Sequence, residues 1–136
     1  DTYGKLYNWN AIETGKLCPT GWHVPTDIEW TVLEVYLTAN GNRGTQGKTL
    51  RATSGWDDYK GQSGNGTDNF GWLGLPGGFC GITGEFFSNG YDGYWWTSSE
   101  SNESRAWWRS LSNSFDLVGK FNGLKKSGFS VRCIKD

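Results

Sequence analysis

Between Gly93 and Gly123 the chain reads "GYWWTSSESNESRAWWRSLSNSFDLVGKFNG". Aromatic and β-branched runs broken by Ser, Asn and Gly predict three extended segments here, at 94–100, 104–112 and 115–122. Two of them carry paired tryptophans, Trp95 with Trp96 and Trp107 with Trp108. Successive side chains of a strand point to opposite faces, so a sheet covered on one side buries only one member of each pair. In 104–112 one face carries Trp107, Arg109 and Leu111, and the other carries Ala106, Trp108, Ser110 and Ser112. Leu111 marks the first face as inward, which makes Trp107 the expected core residue and turns Trp108 outward. In 115–122 alternation alone buries Phe115, Leu117, Gly119 and Phe121, and exposes Asp116, Val118, Lys120 and Asn122.

A fourth strand is expected at 129–134, which makes the carboxyl half an antiparallel sheet. On the amino-terminal side, "YGKLYNW" at 3–9 alternates as a short strand does. Thr26 with Glu29 three residues on forms a capping box after Pro25, and predicts a helix over about 27–39. Ile28, Val32, Val35 and Tyr36, with Leu33 and Leu37 beside them, recur at helical spacing and supply its expected core face. A second short helix is expected within 44–55, ending at Gly55. The Gly-, Asn- and Asp-rich stretch from Trp56 to about Tyr91 is too long for a structureless connection, so it reads as a folded loop pinned by Phe70, Trp72, Leu73, Leu75 and Phe79. The sum is an α+β fold: two helices, a long folded loop, a twisted antiparallel sheet, and termini brought together.

The 136 residues suit one domain, 1–136, long enough to bury a core of its own. Thirteen Lys and Arg against fourteen Asp and Glu, without a run of like charge, argue against nucleic acid as a partner. No apolar run reaches the roughly 18 residues of a membrane span, and the chain begins at Asp1 with no basic and apolar leader, as expected of a mature or excised soluble domain. With one histidine, His23, and no CxxC spacing among Cys18, Cys80 and Cys133, a zinc cluster is excluded on inventory. A disulfide is the more economical reading than three reduced thiols, although spacing leaves open which two pair.

Six segments, "YGKLYNW", "CPTGWHVPTDIEW", "LRATSGW", "GTDNFGWLGLPGG", "GYWWTSSE" and "GFSVRCIKD", follow one another as do the signatures of the Fibrobacter succinogenes major paralogous domain (FISUMP), which the chain resembles from Tyr3 to Asp136. The resemblance implies a C-type lectin-like fold in a bacterial secreted or cell-surface protein, an adhesin for example. Some relatives are variable proteins of diversity-generating retroelements, altered on one face of the carboxyl-terminal sheet to bind new targets. It also implies a Cys18–Cys133 disulfide, with Cys80 left over. Aligned on "GFSVRC", Val118 turns inward beside Lys120, and Leu117, Gly119, Phe121, Gly123, Leu124 and Ser127 fall at diversified positions, reversing the parity reading. The expected ligand-binding face is then Trp108, Ser110, Ser112, Phe115, Leu117, Gly119, Phe121, Gly123, Leu124 and Ser127. An aromatic and aliphatic patch rimmed by small polar residues suits a protein partner, with Trp108 as anchor.

The expected partner is a protein or glycan on a cell or phage surface, bound by a domain that is monomeric when excised. A structural module of a larger surface protein and a carbohydrate-binding lectin are the alternatives. Asp57, Asp58, Asp68 and Glu85 with Asn65 and Asn69 offer oxygen ligands for calcium. The EPN, QPD and WND tripeptides of calcium-dependent sugar sites are missing, however, and turn chemistry explains these residues better, so no cofactor is expected. Catalysis is not expected either. His23, between Trp22 and Val24, reads as structural; Asp68 and Glu100 have no spacing that suggests a glycosidase pair; and no GxSxG motif is present. Lys120, Lys125, Lys126 and Arg132 read as a solvated turn and strand edge rather than a phosphate site.

Overall fold

The computed structural model describes residues 2–136. Helix α1 (Trp9–Glu13), strand β1 (Trp22–His23), helix α2 (Asp27–Leu37) and helix α3 (Gln46–Leu50) precede β2 (Gly77–Cys80), β3 (Phe86–Asn89), β4 (Asp92–Asn102), β5 (Arg105–Ser112), β6 (Phe115–Leu124) and β7 (Ile134–Lys135). Five strands form one sheet in the order β3-β2-β4-β5-β6, while β1 and β7 pair separately. Only β2 and β4 run parallel, so the sheet is mixed, within the expected α+β class.

The sheet is covered on both sides. Trp95, Leu111 and the half-buried Val118 face a core built with Trp30 and Leu37 of α2, Leu50 of α3, and Trp56. Trp96 and Ala106 face the other way, into Trp9 and Ile12 of α1, Val24 and Phe129. Both members of the first tryptophan pair are therefore buried, Trp95 at 5 % exposure and Trp96 at 0 %. The expectation of one covered face fails because the two ends of the chain provide a second cover. Tyr7 and Phe129 exchange backbone hydrogen bonds at 2.8 and 3.0 Å, and Cys18 is joined to Cys133 across 115 residues. Cys80 remains a free, half-buried thiol.

Several expectations change. Segment 3–9 is not a strand: Tyr7 makes one isolated bridge, and Asn8 caps α1, its side-chain oxygen accepting from the Ala11 N–H at 3.2 Å. The described residues thus hold three α-helices rather than two. The capping box of α2 is present, with Thr26 Oγ1 accepting from the Glu29 N–H and Glu29 accepting from the Thr26 N–H. The helix passes at Thr38 into a wider π-type turn that Gly41 closes with φ 84°. Its buried residues are Trp30 and Leu37, with Leu33 half-buried, whereas Ile28, Val32, Val35 and Tyr36 are exposed. Two apolar stripes share one helix, and the stripe bearing the tryptophan takes the core.

Helix α3 ends at Leu50, five residues before Gly55. The long loop contains β2 and β3, and among its expected pins Trp72, Leu75 and Phe79 are half-buried while Phe70 and Leu73 are exposed. The 129–134 segment is not a strand of the main sheet; its backbone bridges Tyr7 and Trp95 singly, and only Ile134–Lys135 forms the short pair with β1.

Candidate functional site

Strand β5 sets out the site. It pairs with β6 so that Trp108 lies opposite Phe121, Ser110 opposite Gly119, and Ala106 opposite Gly123. The face opposite α2 and α3 thus carries Trp108, Ser110, Gly119, Phe121 and Gly123, while Val118 packs toward Trp30 and Leu50. Alternation alone had buried Phe115, Leu117 and Phe121; they are 57 %, 38 % and 55 % exposed. Burial on the far face is taken instead by Arg109, Leu111 and Val118.

The second tryptophan pair is divided less cleanly than expected. Trp107 is half-buried rather than core, with the Lys120 ammonium 5.1 Å from its ring centre. The interior position on that face goes to Arg109, fully buried, whose guanidinium donates to Asp27 Oδ1 at 2.6 Å and Glu34 Oε1 at 2.8 Å. Trp108 is half-buried too. Its ring packs edge-on against Tyr94 at 5.3 Å and Phe129 at 5.4 Å, and tilts over Phe121 at 5.1 Å.

Trp108 is one member of a row that crosses the whole sheet. Phe87 of β3, Phe79 of β2, Tyr94 of β4, Trp108 of β5 and Phe121 of β6 follow one another at ring-centre distances of 5.1, 5.1, 5.3 and 5.1 Å. Each strand contributes one ring because neighbouring strands lie about 4.8 Å apart. The inner rings pack on Phe129, and the outermost, Phe87 and Phe121, are exposed. Burial pushes the Tyr94 hydroxyl up to about 12, so it remains protonated and donates to Asp92 at 3.2 Å. Phe79, Phe87 and Tyr94 were missed as members of this face. The signal for Tyr94 was present, since it shares the parity of Trp96 rather than of Trp95.

The edge strand β6 is held from behind. Gly47 of α3 comes so close to the Leu117 carbonyl that a side chain there would collide with it. Arg51, 2 % exposed, donates to the carbonyls of Ser112 and Phe115, the latter at 3.0 Å, and pairs with Asp116 at 2.9 Å. It grips the turn where the β5–β6 register shifts between Ser110 and Ser112. Nothing in its sequence neighbourhood marks this role.

The ten expected residues do not form one patch. Trp108, Ser110, Gly119 and Phe121 stand together at the centre, and Leu117 lies two residues past Gly119 toward the Arg51 end of β6. Phe115 lies at the near turn opposite Ser112, and Gly123 lies beside Trp108, where a Cβ would come within 2.7 Å of the indole nitrogen. Leu124 pairs with Arg105, which by alternation puts it on the Lys120 face, and Ser127 occupies the turn beyond.

The residues weighed for other chemistry serve as local ties. Asp68 accepts from the Leu73 N–H at 2.8 Å, Asn65 accepts from the Trp56 N–H at 3.1 Å, Asn69 donates to Thr49, and Glu85 accepts from Thr83. No group of three or more His, Cys, Asp or Glu side chains suited to a metal stands together among the described residues. Glu100 pairs with Lys125, and His23 is held between Glu29 and Asp136. The basic cluster is not merely solvated: Lys120 pairs with Asp27, Lys125 lies over Trp9, and Arg132 over Trp72. Long basic side chains cover aromatic surface with their stems and reach an acid or a ring with their heads.

The family model described as the Fibrobacter succinogenes major domain matches residues 1–135. The chain belongs to this family. No match is found among curated proteins or among solved structures. The match takes in both covers and the candidate face. No helix among the domain's described residues is long and apolar enough to cross a membrane. Its disulfide is of a kind that persists in oxidising compartments.

Proposed function

We propose that this domain is a ligand-binding module of a bacterial cell-surface or secreted protein, C-type lectin-like in architecture and not an enzyme, and that it recognises a protein through the β5–β6 face. The observation that carries the reading is the exposed apolar side chains of this face: Phe121 stands beside Trp108, Leu117 follows four residues along the same face of β6, and Ser110 and Gly119 lie between them. Apolar side chains fixed on a rigid strand and rimmed by small polar groups form low-entropy anchors for a partner. A protein suits it better than a sugar. Stacking on a sugar favours a wide open indole face, and the half-buried Trp108 is hemmed in by Tyr94, Phe129 and Phe121, which leaves the smaller Phe121 as the open ring.

The test replaces only exposed residues, because Trp108 also supports the core. Leu117→Ser with Phe121→Ser should leave thermal unfolding nearly unchanged and abolish capture of a protein ligand found by overlaying bacterial and phage surface proteins with the labelled domain. Equal capture by the double variant defeats the reading. Binding confined to a polysaccharide panel replaces it with a lectin. The finer reading, a retroelement-diversified protein, requires in the neighbouring DNA an imperfect repeat of codons 95–133 that differs mainly at adenines.

A further inference from the structure

Away from the β5–β6 face, α2 and the C-terminal segment bound a groove of about 550 Å³. Its size falls within the range of small-molecule sites, roughly 300–1,000 Å³. Pro25, Trp30, Val32, Leu33, Trp72 and Ile134 give it apolar walls, and Trp30 meets Trp72 edge-on at 5.5 Å to form its aromatic corner. The polar groups in it are uneven. Arg132 lies with its guanidinium 4.4 Å from the centre of the Trp72 ring, and no ion pair among the described residues reaches it. Burial pulls its pKa down, opposed by the charge of Asp68. That carboxylate stands farther off than an ion pair and accepts from the Leu73 N–H.

Glu29 also lines the groove, but both of its oxygens are engaged, one by His23 and the other by Thr26. Trp30 is 3 % exposed, and its indole N–H has no acceptor. The groove therefore combines apolar walls with a partly desolvated cation, while its one carboxylate is already satisfied. A cation withdrawn from water without a counter-charge is costly, and a bound anion offsets that cost.

We propose that this groove binds a small apolar carboxylate, its ring or branched body against Trp30 and Trp72 and its carboxylate oxygens accepting hydrogen bonds from Arg132. The test titrates 3-phenylpropionate into the domain and follows the tryptophan indole N–H signals by NMR, with 3-phenylpropionamide as the neutral comparison. Saturable shifts are expected at Trp30 and Trp72 and not at Trp108, with the amide bound about 10-fold or more weakly, as the loss of a charged hydrogen bond predicts. Equal binding of the two probes, or no shift up to about 10 mM, overturns the proposal. Arg132→Gln should erase the preference for the carboxylate. Arg132 adjoins the disulfide, so Val32→Glu on the exposed helix surface provides a second variant: a like charge at the groove should weaken the carboxylate and spare the amide. An unchanged preference in that folded variant also overturns it.

Discussion

Trp95 and Trp96 are neighbours in β4, and both are buried, but under covers of different construction. Trp95 lies beneath α2 and α3, one continuous run of chain. That cover is fastened by Arg109, whose guanidinium also donates to the Asp27 carbonyl at 3.2 Å, and by Lys120 on the second oxygen of Asp27. Trp96 lies beneath α1 and the segment around Phe129, from opposite ends of the sequence. That cover is fastened by the disulfide and by two indole hydrogen bonds, Trp9 to the Thr97 carbonyl at 2.8 Å and Trp96 to the Tyr7 carbonyl at 2.9 Å. A continuous cover holds with side-chain contacts, since bringing its parts together costs little loop entropy; chain ends need a covalent tie. The chain-end cover stops short of β6, which leaves Phe121 and Leu117 open.

The largest expected effect tests the covalent tie. Closing a 115-residue loop stabilises by about 4 to 5 kcal/mol in the chain-entropy model. Cys18→Ser with Cys133→Ser should lose about that much in urea unfolding, and hydrogen exchange should rise first at the Trp9 and Trp96 indoles. Equal early exchange near Trp30 and Trp56 would break the distinction between the covers. Arg109→Ala should come next, at about 3 kcal/mol or more, because it leaves Asp27 and Glu34 facing each other without the buried cation. Its early exchange should appear on the α2 side. A loss below about 1 kcal/mol would show that the apolar contacts of Trp30 and Leu37 suffice to hold the helix.

What the sequence made legible is what short-range chemistry decides. Thr26 and Glu29 identified the start of α2 because a capping box closes within four residues. Segment 3–9 misled because Tyr3, Lys5, Tyr7 and Trp9 alternate as in a strand, whereas Asn8 caps a helix that begins at Trp9. The core stripe of α2 misled for a different reason: two apolar stripes were available, and the choice rests on partners far away in sequence. Asp27, Thr31 and Glu34 share one face at spacings of four and three, and all three meet Arg109. That polar stripe marked the docked side, but only in the knowledge that β5 buries an arginine. At the candidate site, the orientation of β6 came from family alignment, since exposed Leu117 and Phe121 imitate core residues in an alternating pattern. Arg51 and the aromatic row were not legible, because they depend on strand order, which alternation does not encode.

The smallest expected effect concerns the contact that joins the two covers. His23 sits in β1, with Nε2 at 2.9 Å from Glu29 of the α2 capping box and Nδ1 at 2.6 Å from Asp136 beyond β7. Neutral imidazole has one N–H to donate, whereas the imidazolium has two and satisfies both carboxylates. The hydrogen bond to Asp136 and then the one to Glu29 raise its pKa above the ordinary 6.5. A raised folded-state pKa gives stability that is fully present below the ordinary value and is lost as pH rises through the raised one. Melting temperature measured from about pH 5.5 to 9 should therefore show the wild type ahead of His23→Gln at the acid end, with the gap closing toward the alkaline end. The ring is well exposed, so the gap should be smaller than the effects of the disulfide or of Arg109. A gap that does not change with pH would mean that His23 only packs. Loss of the gap in the Cys18→Ser, Cys133→Ser background would show that the imidazolium needs the chain ends already tied before it can reach both carboxylates.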